Sequence, residues 1–256
     1  MIVVLLAVSA ALYGWGIVRV RRARRAFPRA AIVAFALGLL TIAGALLGPL
    51  DDLSDAWLSW HMVQHLVLVS VSAPLLLLGA PHRLALAALP AKPAASLAQA
   101  LASTPIRILS HPLVAWLQFM VVLYGTHFSP LYEAALENET IHAGEHTLFL
   151  LSAIVFWMPL LAVAPAPHAP SHPVRLLAIF LALPMSAFLG FAFYVARHVL
   201  YSHYAGHPGA LEDQQNAGAV MWLAGGSPLF IALLWCVADW GARERRLENR
   251  DARTSP

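Results

Sequence analysis

The sequence predicts an all-α protein, a polytopic bundle of seven transmembrane helices with its N-terminus outside and its C-terminus inside the cell. Of the 256 residues, 60% are hydrophobic and 11% are charged, whereas in a typical soluble domain about half are apolar and about a quarter charged. Several stretches of about 20 residues lack charge almost entirely, as a membrane-spanning helix requires. Basic residues gather in alternate connections, which gives the orientation.

Seven apolar segments follow one another along the chain, and each predicts one membrane-spanning helix. They cover residues 2–18, 30–48, 56–79, 112–127, 141–163, 174–196 and 217–238. The basic stretch RVRRARR follows the first segment instead of preceding it, so this segment is predicted to be a retained span and not a signal peptide. We expect residues 1–256 to form a single integral membrane domain.

The connections between the segments alternate in charge. Fifteen of the sixteen Lys and Arg residues, all except Arg197, lie at one side of the predicted membrane. They fall in or beside residues 19–29, 80–111, 164–173 and 239–256. The positive-inside rule assigns these connections to the cytoplasm. The net charge of +3 is carried by short runs between apolar segments, which does not indicate nucleic-acid binding.

Two connections contain candidate short helices. Residues 91–107, on the cytoplasmic side, suit a surface helix and a loop equally well. On the outer side, Ser129 and Pro130 are predicted to begin a short helix over residues 129–140, because proline is favoured at the first helical position. Cys236 is the only cysteine, which excludes an intrachain disulfide and a CxxC motif.

Two histidine pairs open the third and fifth segments, in HMVQH (His61, His65) and HAGEH (His142, His146). A separation of four residues places both imidazoles of a pair on one helix face. Both segments run inward from the outer side, so the pairs can share one depth and meet. Polar side chains in a membrane usually face the bundle interior and mark a functional path, and imidazole is a ligand for copper, zinc, iron and nickel. The pattern favours a metal or haem site over interhelical hydrogen bonding.

Four further residues are candidates for the same site. His127, at the outer end of the fourth segment, is a candidate fifth metal ligand. Gln64 and Glu145 are predicted to orient the histidine rings without binding the metal themselves. Met221 offers a thioether sulfur to a copper ion. A zinc protease is not indicated, because HxxxH needs Glu directly after the first histidine and Met62 and Ala143 occupy those positions.

Several stretches resemble the CtaG-like family of cytochrome c oxidase assembly factors. They are WLSWHMVQHLVLVSVSAPLLLLGAP, HP at 111–112, YGTHFSPLYEAALENETIHAGEHTLFLLSAIVFW and DQQNAGAVMWLAGG, and the resemblance covers residues 30–240. It implies a polytopic bacterial membrane protein that takes part in the maturation of haem–copper oxidases, with a proposed role in supplying copper to the catalytic subunit. Residues at motif positions of the family are His61, His65, His127, His142, His146, Gln215, Gly218 and Trp222.

These observations lead to the hypothesis of a non-enzymatic assembly factor in the bacterial inner membrane. It would bind copper through the paired histidines at the periplasmic side and assist metal delivery or subunit maturation. Expected partners are oxidase subunits and the lipid bilayer, and a homo-oligomer is compatible with the sequence. A haem-binding membrane protein and a metal-free scaffold for oxidase assembly remain as alternatives. A transporter is disfavoured, because the inner halves of the segments offer few polar residues for a permeation path.

Overall fold

The computed structural model describes residues 2–161 and 170–254, and this part of the chain is helical and contains no β-strand. In chain order the α-helices are α1 (Ile2–Arg22), α2 (Arg29–Leu46), α3 (Pro49–Ala56), α4 (Leu58–Leu66), α5 (Ala73–Leu78), α6 (Pro81–Ala88), α7 (Ala91–Leu101), α8 (Thr104–Leu109), α9 (Pro112–His127), α10 (Pro130–Glu137), α11 (Glu139–Leu161), α12 (His172–Val195) and α13 (Ala210–Thr254). A π-helical segment (Val67–Ser72) joins α4 to α5, and a short 3₁₀ turn (Ser202–Tyr204) precedes α13.

Within the described residues, six helical stretches are long and apolar enough to cross a membrane. They are Ile2–Arg22, Arg29–Leu46, Leu58–Ala88, Glu139–Leu161, His172–Val195 and Ala210–Arg250. All seven predicted segments fall on helices in the described part. The fourth corresponds to α9, whose 16 residues extend about 24 Å at 1.5 Å per residue, less than the roughly 30 Å hydrocarbon core. Residues 162–169, most of the predicted connection with His168, lie outside the described residues.

The third predicted segment, 56–79, differs from the structure at its start and in its middle. Trp57 is extended (φ −137°, ψ 126°), so the helix begins at Leu58. The π-helical segment precedes Pro74, which lacks an N–H and whose ring clashes with the carbonyl four residues earlier. The Trp157 indole donates to the Val69 carbonyl within this segment at 2.9 Å. The side chain thus satisfies a backbone oxygen of the irregular stretch.

Three connections also differ from, or refine, the sequence predictions. Residues 239–254, predicted as a connection, continue α13, because Arg, Glu and Leu are strong helix formers. Residues 91–107 lie on two helices, α7 and α8, and not in an extended loop. The predicted helix after Ser129 is confirmed: Pro130 is its first residue, and the Ser129 hydroxyl accepts from the Leu131 amide.

Successive long helices run in opposite directions, so the bundle has two ends. The histidine end is defined by the starts of α4 and α11, and the arginine end by the start of α12. At the arginine end, Arg175 is buried and donates two hydrogen bonds to the Leu160 carbonyl, at 3.0 and 2.5 Å. Asp239 lies 3.6 Å from the Arg175 guanidinium and 2.9 Å from His172 Nε2. These contacts join α11, α12 and α13.

The helices α12 and α13 form the most extensive helix pair, and their backbones touch at Gly190 and Gly218. A Cβ atom at Gly190 would lie 2.6 Å from the Gly218 carbonyl oxygen, and one at Gly218 would lie 2.5 Å from that of Gly190. Small residues allow such close approach in membrane helices. The small-residue stretch around Gly218 therefore contacts another helix of the same chain.

Candidate metal centre

The first histidine pair lies in the first two turns of α4 and faces the bundle interior. His61 is fully buried and His65 nearly so. Their Nε2 atoms lie 3.1 Å apart. Because both residues precede the π-helical segment, the regular α-helical spacing keeps the two rings on one face.

The second pair lies in the first two turns of α11, directly opposite. The His142 and His146 ring centroids are 4.2 Å apart. Across the two helices, the centroids of His61 and His142 lie 5.1 Å apart and those of His65 and His146 lie 5.0 Å apart. One imidazole nitrogen from each of the four residues lies within 4.8 Å of the others. The two pairs converge, as their matching position in the sequence predicts, and we call them the histidine cluster.

The donor atoms of this cluster are suitable for a metal ion. Imidazole nitrogens lie roughly 2.0–2.1 Å from a bound zinc ion, so two of them on one ion are separated by roughly 2.8–3.4 Å for angles between 90° and tetrahedral. The separation of 3.1 Å between His61 and His65 falls in this range. Among the described residues, none provides a hydrogen-bond partner for the buried Nδ1 of His65 or for the buried Nε2 atoms of His142 and His146. An unsatisfied buried polar group costs about 1–3 kcal/mol, and an ion or an ordered water can satisfy it.

A tyrosine that the sequence reasoning missed orients His61. The Tyr204 hydroxyl donates to the Ser54 carbonyl at 2.9 Å and lies 3.2 Å from His61 Nδ1. The Ser54 carbonyl can only accept, so it takes the single hydroxyl proton, and we assign a proton to His61 Nδ1, which then donates to Tyr204. This tautomer leaves a lone pair on Nε2, the atom that faces His65. Contacts of this kind fix the rings of metal-binding histidines.

His127, the candidate fifth ligand, lies beside the histidine cluster but outside the group of four. Its ring centroid is 6.4 Å from that of His65. Nδ1 donates to the Leu123 carbonyl at 2.7 Å, while the buried Nε2 has no hydrogen-bond partner within the described part of the chain. Both histidines line a cavity of about 60 Å³, which we call the inner cavity, together with Met62 and Met221. Met221 therefore lies in the wall of this inner cavity.

The hydrogen bonds of Gln64 go to the backbone and to a carboxylate, and among the described residues none joins it to a histidine ring. Its amide nitrogen donates to the Ala45 carbonyl at 2.9 Å and to Asp51 Oδ1 at 2.8 Å. These bonds join the last turn of α4 to α2 and α3. Burial raises the pKa of Asp51, and the hydrogen bond from Gln64 opposes that rise.

Glu145 is buried on α11, next to the second pair, and no described residue forms a hydrogen bond with either of its carboxylate oxygens. The structure therefore gives it no contact through which it orients a histidine ring. A buried carboxyl group without a partner is costly.

Three tyrosines from the connections at the histidine end cover the site. Tyr132 stacks on His127 at 5.2 Å and on Tyr201 at 4.3 Å between centroids. The Tyr201 hydroxyl donates to the His127 carbonyl at 2.9 Å. Burial raises the pKa of Tyr132, Tyr201 and Tyr204 above its ordinary value, so their hydroxyls stay protonated. The stretch YSHYAGH, rich in aromatic and imidazole groups, was the available sequence signal.

The chain is similar in sequence to three curated proteins from mycobacteria. The chain is 27% identical over 254 residues to the uncharacterized protein ML1998 of Mycobacterium leprae (strain TN), and the match covers 94% of this chain and 38% of the relative. Two further uncharacterized proteins, Mb0105 of Mycobacterium bovis and MT0111 of Mycobacterium tuberculosis, are 25% identical over 254 residues with the same coverage. The chain thus spans less than two fifths of the length of these curated relatives. No solved structure matches it.

The family model for the cytochrome c oxidase caa3 assembly factor (Caa3_CtaG) matches residues 11–243. This range includes all four residues of the histidine cluster and the long apolar helices from α2 to α12. Together with the membrane-compatible helices, the match indicates a multi-pass membrane protein. The chain belongs to the cytochrome c oxidase caa3 assembly factor family.

Proposed function

We propose that this protein binds a copper ion in its histidine cluster and supports the maturation of a haem–copper oxidase, by delivering the metal or by holding the catalytic subunit during assembly. The observation that carries the proposal is the convergence of four imidazoles within 4.8 Å in a chain of an oxidase assembly family. The role is non-enzymatic. The oxidase subunits are the partners, and a homo-oligomer is compatible with it.

The donor set favours copper over the other metals that imidazole binds. For a given nitrogen site, affinity among the divalent first-row metals is highest for Cu²⁺. Donor separations of up to 4.8 Å require the rings to draw in by roughly 1–2 Å to reach coordination distance. Because the site must close around its ion and contains no thiolate ligand, it suits release of the copper ion to an acceptor protein. Cys236, the single cysteine, lies buried far along α13 and does not contribute.

The proposed orientation places the histidine end outside the cytoplasm. Basic residues that end α1 and follow α13's apolar part lie at the arginine end, including Arg19, Arg22 and Arg243, and the positive-inside rule assigns that end to the cytoplasm. We further propose that α9 is a seventh span, despite its shortness, within a single integral membrane domain. In a bacterium this orientation puts the copper site at the periplasmic side of the inner membrane.

Haem fits the site less well than a metal ion. A haem with two axial histidines needs a flat space between the rings for the macrocycle. Here the rings of the two helices lie directly against each other, with centroids 5.1 Å apart for His61 and His142 and 5.0 Å apart for His65 and His146. The volume between the pairs is filled by the imidazoles themselves.

Metal analysis of purified protein tests the proposal. We expect one equivalent of copper in the wild type and none in a variant with all four cluster histidines changed to alanine. The matched control is His198→Ala with His207→Ala, which removes two exposed histidines at the same end. In cells, the fourfold variant should accumulate in the membrane but lower oxidase activity, while the control retains it. Wild-type protein without stoichiometric metal would support the scaffold, and a Soret band at one equivalent would support haem.

A further inference from the structure

A second, larger cavity opens beside the histidine cluster. It measures about 450 Å³ and lies between α1, α2, α3 and α11 at the histidine end. Its walls include His142 and His146, the apolar side chains Leu5 and Ile42, and the polar Thr147. We call this cavity the vestibule. It joins one side of the histidine cluster to the surface.

The vestibule is lined by acidic groups from two separate elements. Asp51 and Asp55 come from α3, and Glu139 is the first residue of α11. Among the described residues that line the vestibule, none is Lys or Arg. A cleft lined by charge of one sign between walls of low dielectric constant focuses the field and raises the local concentration of counter-ions. The vestibule therefore attracts cations.

Solvent exposure decreases in order from the mouth of the vestibule to the cluster. Asp55 and Glu139 are exposed, and His142 is partly exposed. His146 is only 7% exposed and lines the vestibule, and its Nε2 has no hydrogen-bond partner among the residues that the structure describes. His61 is fully buried behind it. A cation that enters from the mouth thus meets carboxylates first, then His142, and only then the buried imidazoles.

The inner cavity on the other side of the cluster has the opposite character. Its described lining consists of His65, His127, two serines and side chains that are apolar or contain sulfur, such as Phe119 and Met62, and it includes no carboxylate. A hydrated cation approaching from that side would lose its water without gaining a charged partner, which is costly. The vestibule is the better route on electrostatic grounds.

We infer that the vestibule is the port through which the copper ion enters and leaves the histidine cluster, with Asp55 and Glu139 attracting the ion and His142 as its first imidazole ligand. The inference rests on the proposed metal binding and adds the route and the residues that control the rate. It also places the surface that a metal acceptor must approach, at α3 and the start of α11.

Loading kinetics test the port. Purified protein in detergent is mixed with Cu²⁺ at low ionic strength, and binding is followed by quenching of tryptophan fluorescence. Changing charges at the rim of a site alters mainly the association rate and its salt dependence. For Asp55→Asn with Glu139→Gln we expect association to slow by roughly three- to tenfold, with dissociation nearly unchanged. The difference should shrink in 0.5 M salt, since the Debye length falls to about 4 Å.

The matched control is Asp52→Asn with Glu137→Gln. It removes the same two charges at the same end of the bundle, from exposed residues that do not line the vestibule. We expect the control to load at nearly the wild-type rate. Equal rates for the control and the vestibule variant would overturn the port, because net charge alone would then explain any effect. Wild-type protein that takes up no copper would instead overturn the proposed function itself.

A steric variant provides a second, charge-independent test. Ala143 lines the vestibule between His142 and Gly144, and Ala143→Phe should narrow it. We expect slower loading and slower release by a similar factor, with one equivalent still bound at saturation. Leu148→Phe adds bulk at an exposed position of the same helix and serves as its control. Unchanged rates in Ala143→Phe protein that is monodisperse and binds one ion would contradict the proposed route.

Discussion

Tyr204 and His61 lie 143 positions apart in the sequence, yet the tyrosine hydroxyl is 3.2 Å from the His61 Nδ1 atom. The same hydroxyl donates to the Ser54 carbonyl, which sets the direction of the proton between the two side chains. The connection before α13 thereby determines which nitrogen of His61 faces the other three imidazoles.

The first prediction concerns the Tyr204 hydroxyl. Tyr204→Phe keeps the ring but removes the group that fixes the His61 tautomer, so we expect copper affinity to fall by roughly 10–100-fold while one equivalent still binds at saturation. Competition titration with a copper chelator gives the affinity. Tyr201→Phe, which loses a hydrogen bond to the His127 carbonyl and none to the cluster, is the control. A similar loss in both variants would show that the effect is structural.

The second prediction separates His127 from the cluster. His127 lies outside the group of four, and its Nδ1 is occupied by the Leu123 carbonyl. His127→Gln should therefore retain one equivalent of copper, whereas His146→Gln should lose most of it. Metal content after desalting measures both. Loss of the ion in His127→Gln protein that remains monodisperse would make His127 a ligand after all.

The third prediction concerns the pH dependence of stability at Asp51. Burial raises the pKa of this carboxyl group, so its folded-state pKa lies above its unfolded-state value. The contribution of Asp51 to the free energy of unfolding is therefore most favourable at low pH and is lost as the pH rises through the folded-state pKa. Asp51→Asn keeps an acceptor for Gln64 but cannot ionise. The melting temperature of the variant should therefore rise relative to the wild type from about pH 4 upward, starting near the ordinary aspartate pKa.

Thermal unfolding in detergent between pH 4 and pH 7 measures this difference for metal-free protein. Asp52→Asn, which changes an exposed neighbour on the same helix, is the control. A gap between wild type and Asp51→Asn that narrows with rising pH would contradict the direction of the shift.

The fourth prediction tests the contact between α12 and α13. A Cβ atom at Gly190 would lie 2.6 Å from a carbonyl oxygen, so the helices must separate to admit it. We expect Gly190→Ala to lower the free energy of unfolding by about 1–3 kcal/mol, as overpacking does. At Gly226, on α13, a Cβ would meet nothing within 4 Å, so Gly226→Ala should have little effect. Denaturant titration of the purified protein compares the two.

Much of the architecture could be predicted from local sequence. A segment in hydrocarbon must satisfy its own backbone hydrogen bonds, which makes it a helix, and its hydropathy is visible in a window of some twenty residues. The helices over all seven predicted segments, the start of α10 at Pro130 and the shared face of His61 and His65 follow from such local rules. The predicted helix bounds were less accurate, because hydropathy does not determine where these helices begin and end. The extended backbone of Trp57 sets the start of α4, and the helix propensity of the charged residues extends α13.

The four imidazoles, their i, i+4 spacing and their placement at one end of the bundle were determined by the sequence alone, because each depends on residues a few positions apart. The tertiary structure decided the rest. It brought His61 within reach of Tyr204, turned Gln64 towards Asp51 in place of a histidine ring, and set Asp55 and Glu139 around one vestibule. These relationships join helices that are distant in the chain. In an apolar bundle, hydropathy does not show which side of a helix faces its neighbour, because packing between small and aromatic side chains determines that side.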